Sequence, residues 1–244
     1  MLNRIHNIFK PVVTVVIPNY NYSDYIGECI ESVLVSSLNK VRYEIIIVDD
    51  SSTDNSVEVI ERYTSRYKQI KLVKNSNNLG LAKTRNIAIK RARGKYIFLL
   101  DSDNYIRNDC IMTHLRILDL HPEYSVCYAP VQQFEDSTKK PLGILSNKPF
   151  SKKLLREGNY IDVMTMIRKD LFDDIGMFDE NMSYGWEDYE LWLRAAEASK
   201  KFYFYNCEPL SFYRCHSMNM TNNSVKKNIK DIKKYINNKH NLNL

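Results

Sequence analysis

The chain has 244 residues, 35 Lys and Arg against 29 Asp and Glu for a formal charge of +6, and 44% apolar residues. That apolar share, with only 7 Gly and 7 Pro, excludes a disordered or collagen-like chain, and the length suffices to bury a substantial core. No window carries the roughly 18 uncharged apolar residues that span a bilayer, and Met1 to Lys10 lacks the apolar run of a secretory leader.

Val12 to Ile17 is a continuous, mostly β-branched run stopped by Pro18, the pattern of a strand buried on both faces. Ile26, Ile30, Val33 and Leu34 then recur at helical spacing. A second strand, Tyr43 to Val48, breaks at the polar cluster Asp49 to Ser56. The next helix turns Val57, Ile60 and Tyr63 inward, and Ile70 to Val73 forms a short third strand. After a polar loop from Asn75 to Gly80, Leu81 to Arg93 reads as a helix with Gly94 as its C-cap. Tyr96 to Leu100 is a fourth strand ending in Asp101-Ser102-Asp103. Strands alternating with helices predict βαβ units and a mostly parallel sheet, whose ligands gather at the carboxyl ends of the strands. Three of the four strands end there in polar or acidic groups, so the order of elements alone predicts one acidic site.

The second half is less regular. Gln132 to Asn159 is polar, with Pro141 and Pro149, and is expected to be loop-rich. Glu187 to Lys200 reads as a helix, and Phe202 to Tyr205 and Pro209 to Tyr213 as strands. Residues 225–244 hold six lysines against Asp231, so all but one unit of the net charge sits in this tail and residues 1–224 are nearly neutral. A nucleic-acid-binding core, which needs a basic face, is therefore not expected. Val225, Ile229, Ile232 and Ile236 form one helical stripe. The tail is either a basic amphipathic helix resting on an anionic membrane or a helix docked on its own domain. Cys29, Cys110, Cys127, Cys207 and Cys215 are odd in number and contain no Cys-x-x-Cys pair, which predicts free thiols in a cytoplasmic protein.

Asp101 and Asp103, two apart at a strand end, are hard oxygen donors suited to Mg²⁺ or Mn²⁺ with open positions for a diphosphate. Asp49 and Asp50 close the second strand. They resemble the acid cluster of a phosphoacceptor module, could cap the following helix, or could accept hydrogen bonds from a nucleobase, with Arg85 completing that pocket. No Gly-x-Gly-x-x-Gly or Gly-x-x-x-x-Gly-Lys is present, so neither a dinucleotide fold nor a P-loop is supported.

Together the segments spell a family. Val15 to Asn21, Ile47 to Asp54, Asn77 to Asn86 and Leu100 to Asp103 follow in order. Ile175 to Glu180, Gly185 to Arg194 and Phe212 to His216 complete the set, which spans about residues 12–220. The ensemble resembles the inverting family-2 glycosyltransferases of the GT-A fold, with Ser51 and Ala88 standing where that family commonly has Gly. The resemblance implies a Rossmann-like, mostly parallel α/β sheet flanked by helices, with a smaller acceptor-side region. It implies a GT-A domain over 1–224, with a nucleotide half near 12–104 and an acceptor half near 105–224, followed by the tail at 225–244. Pro18, Tyr20 and Asp50 would line the base pocket with Arg85 beside it. Asp103 would be the main ligand of a divalent Mn or Mg ion, Asp101 would contact ribose or metal, and His216 would reach the metal or diphosphate. Asp188 would be the general base, with Glu187 as its rival, and the positive end of its helix would favour the ionised form. Trp186 and Tyr184 could stack on a sugar or pack.

The implied activity is transfer of a sugar from a nucleotide diphospho-sugar, a UDP-sugar foremost, to a hydroxyl of a glycan or lipid-linked glycan in bacterial surface polysaccharide synthesis. The setting would be the cytoplasm, with peripheral contact at the inner face of the membrane through the tail. Two rivals differ in class. A sugar-phosphate nucleotidyltransferase would need a Gly- and Arg/Lys-rich phosphate loop, which Pro18 to Asn21 lacks. A non-catalytic nucleotide- or carbohydrate-binding module would more often have lost Asp103 or Asp188.

Overall fold

The computed structural model describes residues 10–244, so nearly all of the segment examined for a leader lies outside the described residues. Strand β1 (Val13–Asn19) is buried at all seven positions, β2 (Tyr43–Asp49) at six, and β4 (Tyr96–Leu99) at all four. This is the consequence of continuous apolar runs covered on both faces. Helices α1 (Ile26–Leu34) and α2 (Ser56–Arg66) alternate with these strands, and so do β3 (Ile70–Lys74) and α3 (Leu81–Arg91). Side-chain alternation divides the core in two. Val16, Ile46, Val48, Ile97 and Leu99 face one side, and Val15, Ile17, Ile45, Ile47 and Phe98 face the other.

The main sheet has seven strands in the order β10-β6-β9-β4-β1-β2-β3. It is parallel except for β9 (Met166–Arg168), which runs antiparallel to both β4 and β6 (Tyr124–Tyr128). The parallel register pairs Asn19 with Asp49, and Leu100 N–H donates to Val16 O at 3.0 Å, so three polar strand ends reach one edge together. β5 (Tyr105–Ile106) and α4 (Cys110–Leu120) lead into the second half. There a smaller sheet, β5-β11-β7-β8, forms from β5, β11 (Ser211–Cys215), β7 (Val131–Glu135) and β8 (Pro141–Leu145).

Two expectations are corrected. The polar stretch 132–159 is structured, carrying most of β7, β8 and α5 (Lys152–Glu157), whose N-cap Ser151 accepts from Leu154 N–H. Its polar side chains serve the ladder rather than interrupt it: Gln132 Nε2 donates to Gly143 O at 3.0 Å across the two strands. Gly94 is not a C-cap, because α3 ends at Arg91 with Ala92 extended. A Cβ at Gly94 would lie 2.5 Å from Thr14 N, so close approach to β1 is what requires glycine there.

α6 (Leu171–Ile175) and α7 (Glu187–Glu197) precede β10 (Lys201–Phe204), and the chain finishes in α8 (Lys226–His240). The tail docks on its own domain. Val225, Ile232 and Ile236 are buried in the core shared with α7, and Ile229 packs against it. Lys239 pairs with Asp179 at 2.5 Å and Glu190 at 2.7 Å, and Tyr235 donates to Asp179. The apolar stripe that would enter a membrane is thus already occupied by protein. Among the described residues, no helix is long and apolar enough to cross a membrane.

Candidate active site

The polar strand ends open into a cleft of about 720 Å³. Among the described residues its walls carry six carboxyl groups, those of Asp50, Asp101, Asp103, Asp162, Glu187 and Asp188, and one guanidinium, that of Arg85.

Pro18 and Tyr20 leave β1 on one wall, Tyr20 being 44% exposed. Asp50 lies behind them and holds the loop that follows β3. Its carboxylate accepts from Asn75 Nδ2 at 2.8 Å and from the backbone N–H groups of Leu79 and Gly80, both at 2.9 Å. Asp49 is spent in the same way on Asn19, Ser52 Oγ and the Ser52 N–H. Ser51 between them takes φ +66°, a left-handed conformation that favours glycine.

Arg85, in the first turns of α3, is fully buried and turns away from the base side. One Nη donates to Asp101 Oδ1 at 2.5 Å and the other to Glu187 Oε1. The guanidinium therefore ties the end of β4 to the start of α7 instead of presenting its fork to a base. Arg85 Nε and Glu187 Oε2 are buried without a hydrogen-bond partner among the described residues.

Asp103 is buried, and its Oδ2 accepts from Asn219 Nδ2 at 3.0 Å and meets His216 Nε2 at 3.1 Å. The Met218 N–H donates to His216 Nδ1, which makes Nδ1 the acceptor and leaves the ring proton on Nε2, facing Asp103. Burial raises the Asp103 pKa, while His216 opposes the rise. Behind it, Arg214 Nε donates to Asp103 O at 2.8 Å. Its other nitrogens pair with Asp136 and Glu28, fixing the Asp103 backbone to β11, β7 and α1.

At the far wall, Gly185 (φ +115°) and Trp186 (φ +62°) form a tight left-handed turn that delivers Glu187 and Asp188 as the first two residues of α7. Asp188 Oδ1 accepts from its neighbour's backbone, Tyr189 N–H, at 2.7 Å and from Asn159 Nδ2 at 3.2 Å. Its carboxyl is raised above the ordinary range by burial first and by Glu187 second, with Arg85 opposing. The helix terminus does not keep Asp188 strongly ionised, because desolvation outweighs the dipole. Asp162, which sequence reasoning passed over, shares this wall and is pushed up to about 7 by burial. Asn159 and Asn219 were missed as well. None lies in a recognisable motif, and only the turn of the chain into β9 brings 159–162 to the cleft.

Among the described residues, no group of three or more His, Cys, Asp or Glu is placed to hold a metal. The donor set at the β4 end still fits a hard divalent ion. Asp101 and Asp103 offer carboxylate oxygens, and Mg²⁺ or Mn²⁺ is commonly held by one or two carboxylates with substrate phosphates completing the shell. His216 places Nε2 3.1 Å from Asp103 Oδ2, beside the same donors.

The family model "Glycosyl transferase family 2" matches residues 14–176. An uncharacterized glycosyltransferase of Haemophilus influenzae is 29% identical over 223 residues, covering 88% of this chain and 84% of the relative. The poly(ribitol-phosphate) beta-N-acetylglucosaminyltransferase TarS of Staphylococcus aureus is 32% identical over 108 residues, and that match covers 44% of this chain but only 19% of TarS. The crystal structure of S. aureus TarS 1–349 in complex with UDP-GlcNAc superposes with a TM-score of 0.76 at 20% identity, over 95% of this chain and 67% of that one. The mostly parallel α/β architecture is thus shared with a glycosyltransferase.

Proposed function

The chain belongs to glycosyl transferase family 2, and from that premise we propose that it transfers a sugar from a UDP-sugar to a hydroxyl of a glycan or lipid-linked glycan, with inversion. Two relatives, TarS and the Bacillus spizizenii poly(ribitol-phosphate) beta-glucosyltransferase, are named for sugar transfer to poly(ribitol-phosphate), and a third, of Bacillus subtilis, for teichuronic acid biosynthesis. That supports a place in bacterial surface polysaccharide synthesis and a hexosyl or N-acetylhexosaminyl donor. The carrying observation is that one cleft joins Pro18, Tyr20 and Asp50 at one wall, Asp101 and Asp103 at its floor, and Asp188 at the opposite end of the Arg85 bridge.

In this reading Pro18 and Tyr20 pack the nucleobase, while Asp50 lines that pocket and fixes the loop that closes it. Asp103 and Asp101 hold a divalent Mn or Mg ion, which when bound neutralises charge on the departing diphosphate. Net charge favours this: a diphosphate entering a cleft of six carboxyl groups and one guanidinium needs a counter-cation. Asp188 takes the proton of the acceptor hydroxyl as that oxygen attacks the anomeric carbon, opposite the bond to the diphosphate, which breaks. A carboxylate whose pKa is raised toward neutrality is a stronger base than an ordinary aspartate, as general-base catalysis near pH 7 requires. Glu187 is engaged with Arg85, which orients the start of α7 and makes it the poorer base. Contact with the inner membrane leaflet, if the protein works there, is electrostatic through the exposed lysines of α8 rather than by insertion, because the apolar stripe is buried.

The test is thermal stabilisation of purified protein by UDP, GDP, dTDP and CDP, with and without Mn²⁺. Stabilisation by UDP that requires Mn²⁺ is expected; stabilisation by none of the four at millimolar concentration contradicts the proposal.

A further inference from the structure

The roles above leave the transferred sugar itself without a protein partner. β9 runs antiparallel to β4, so the segment entering β9 meets the sheet edge where β4 delivers Asp101 and Asp103, and Leu99 N–H donates to Thr165 O at 3.2 Å to join them. Two residues of this segment reach the cleft with polar groups. Asn159 touches Asp188, at the end where donor sugar and acceptor hydroxyl would meet. Asp162 is fixed by its own turn: its N–H donates to Ser146 Oγ at 2.7 Å and its Oδ1 accepts from Met164 N–H at 2.9 Å. Its second oxygen, Oδ2, has no hydrogen-bond partner among the described residues, although Asp162 lines the cleft. A carboxylate anchored through one oxygen and open at the other accepts from hydroxyl groups, and a sugar brings several.

The same wall disfavours a second class of sugar. A hexuronate would add its own carboxylate to a cleft that already holds six carboxyl groups. Among the described residues the one guanidinium there, Arg85, is already paired with Asp101 and Glu187. Like charges at close range in a partly desolvated site are strongly disfavoured.

We propose that Asp162 is a specificity-determining residue, accepting hydrogen bonds from hydroxyls of the transferred sugar and selecting neutral hexose or N-acetylhexosamine donors against hexuronic acids. This inference rests on the UDP-sugar reading above.

The experiment is calorimetric binding at pH 8, where the Asp162 carboxyl is ionised, of UDP, UDP-glucuronate and four neutral donors (UDP-glucose, UDP-galactose and their N-acetyl forms) in Mn²⁺. It compares wild type with Asp162→Asn and Asp162→Ala, each checked for an unchanged melting transition or a higher one. Wild type should bind its best neutral donor at least about tenfold more tightly than UDP-glucuronate, the scale of one hydrogen bond to a charged group. Asp162→Asn keeps the size and the bond to Met164 N–H but loses the charge, so it should narrow that ratio to about threefold or less while UDP affinity stays within about twofold. Asp162→Ala should weaken the neutral donor about tenfold, again without moving UDP. Equal binding of glucuronate and neutral donors by wild type, or an unchanged ratio in Asp162→Asn, overturns the role given to Asp162. So does a loss of UDP affinity in step with the sugar, which marks a structural residue. Wild type that binds neither UDP nor any UDP-sugar overturns the transferase reading instead.

Discussion

The loop after β2 and the far wall of the cleft use their acids in opposite ways. At the end of β2 and in the loop that follows, Asp49, Asp50 and Asp54 are consumed by architecture, accepting from Ser23, Ser52, Ser56, Leu79 and Gly80 backbone N–H groups and from nearby side chains. At the entry to β9 and the start of α7, Asp162 and Asp188 accept from a backbone N–H close by in sequence, Asp188 from Asn159 as well, and burial leaves both raised. A cluster such as Asp49-Asp50-Ser51-Ser52 thus advertises chemistry in sequence while building loops in structure. Asp162 and Asp188, which each meet a single backbone N–H, keep more of their accepting capacity. The cost of an unmade hydrogen bond explains the division: Asp49, Asp50 and Asp54 lie among several loop N–H groups and side-chain donors that need acceptors, and Asp162 and Asp188 each face one such N–H.

Several substitutions break or sharpen this contrast. The largest effect is expected from Asp103→Ala, which should abolish transfer and remove the Mn²⁺-dependence of nucleotide binding, measured by turnover and by titration of UDP with and without the ion. Next is pH. Because Asp188 must be unprotonated to act and its pKa is raised, kcat/KM should fall about tenfold per unit as pH drops below neutrality, rather than stay flat down to pH 5. Gly185→Ala sets a Cβ 2.5 Å from Val225 Cγ2 at φ +115° and should cost roughly 2–4 kcal/mol in denaturant unfolding, loosening α8 from the turn that presents Asp188. Asp50→Ala leaves the Leu79 and Gly80 N–H groups without their acceptor and should cost about 1–3 kcal/mol, whereas Asp162→Asn should not destabilise at all. Asp162 binds a proton on folding that it has lost when unfolded above about pH 4. Stability should therefore decline as pH rises from that point toward 7, and Asp162→Asn should flatten the decline in melting temperature. Smallest is Ser51→Gly, which relieves a left-handed serine and should stabilise by about 1 kcal/mol or less.

Much of this was legible in the sequence, for identifiable reasons. Runs such as Val12 to Ile17 and Tyr96 to Leu100 are buried on both faces, so composition alone marks them as strands, and parallel register then forces their polar ends to one edge. The tail stripe at Val225, Ile229, Ile232 and Ile236 marked a helix, but only the partner surface on α7 decided between membrane and domain. Three features escaped. Strand β7 carries polar residues because Gln132 satisfies backbone groups on its own strand and across the ladder, and β8 is a short run broken by Pro141 and Gly143. Arg85 looked available for a base because its two carboxylate partners, Asp101 and Glu187, lie 16 and 102 residues away in sequence. Asp162 carries no motif, and its importance follows from the antiparallel entry of β9, which the surrounding βαβ pattern does not announce.

The central claim is that Asp188 acts as the base at the end of a nucleotide-sugar cleft. The most direct measurement is the turnover of Asp188→Asn alongside its affinity for the UDP-sugar donor, at pH 8. The account predicts donor affinity within about threefold of wild type and a turnover lower by roughly 10²–10⁴-fold, the range supplied by a positioned general base. A near-normal turnover in Asp188→Asn, with the loss appearing instead in Glu187→Gln, would contradict it.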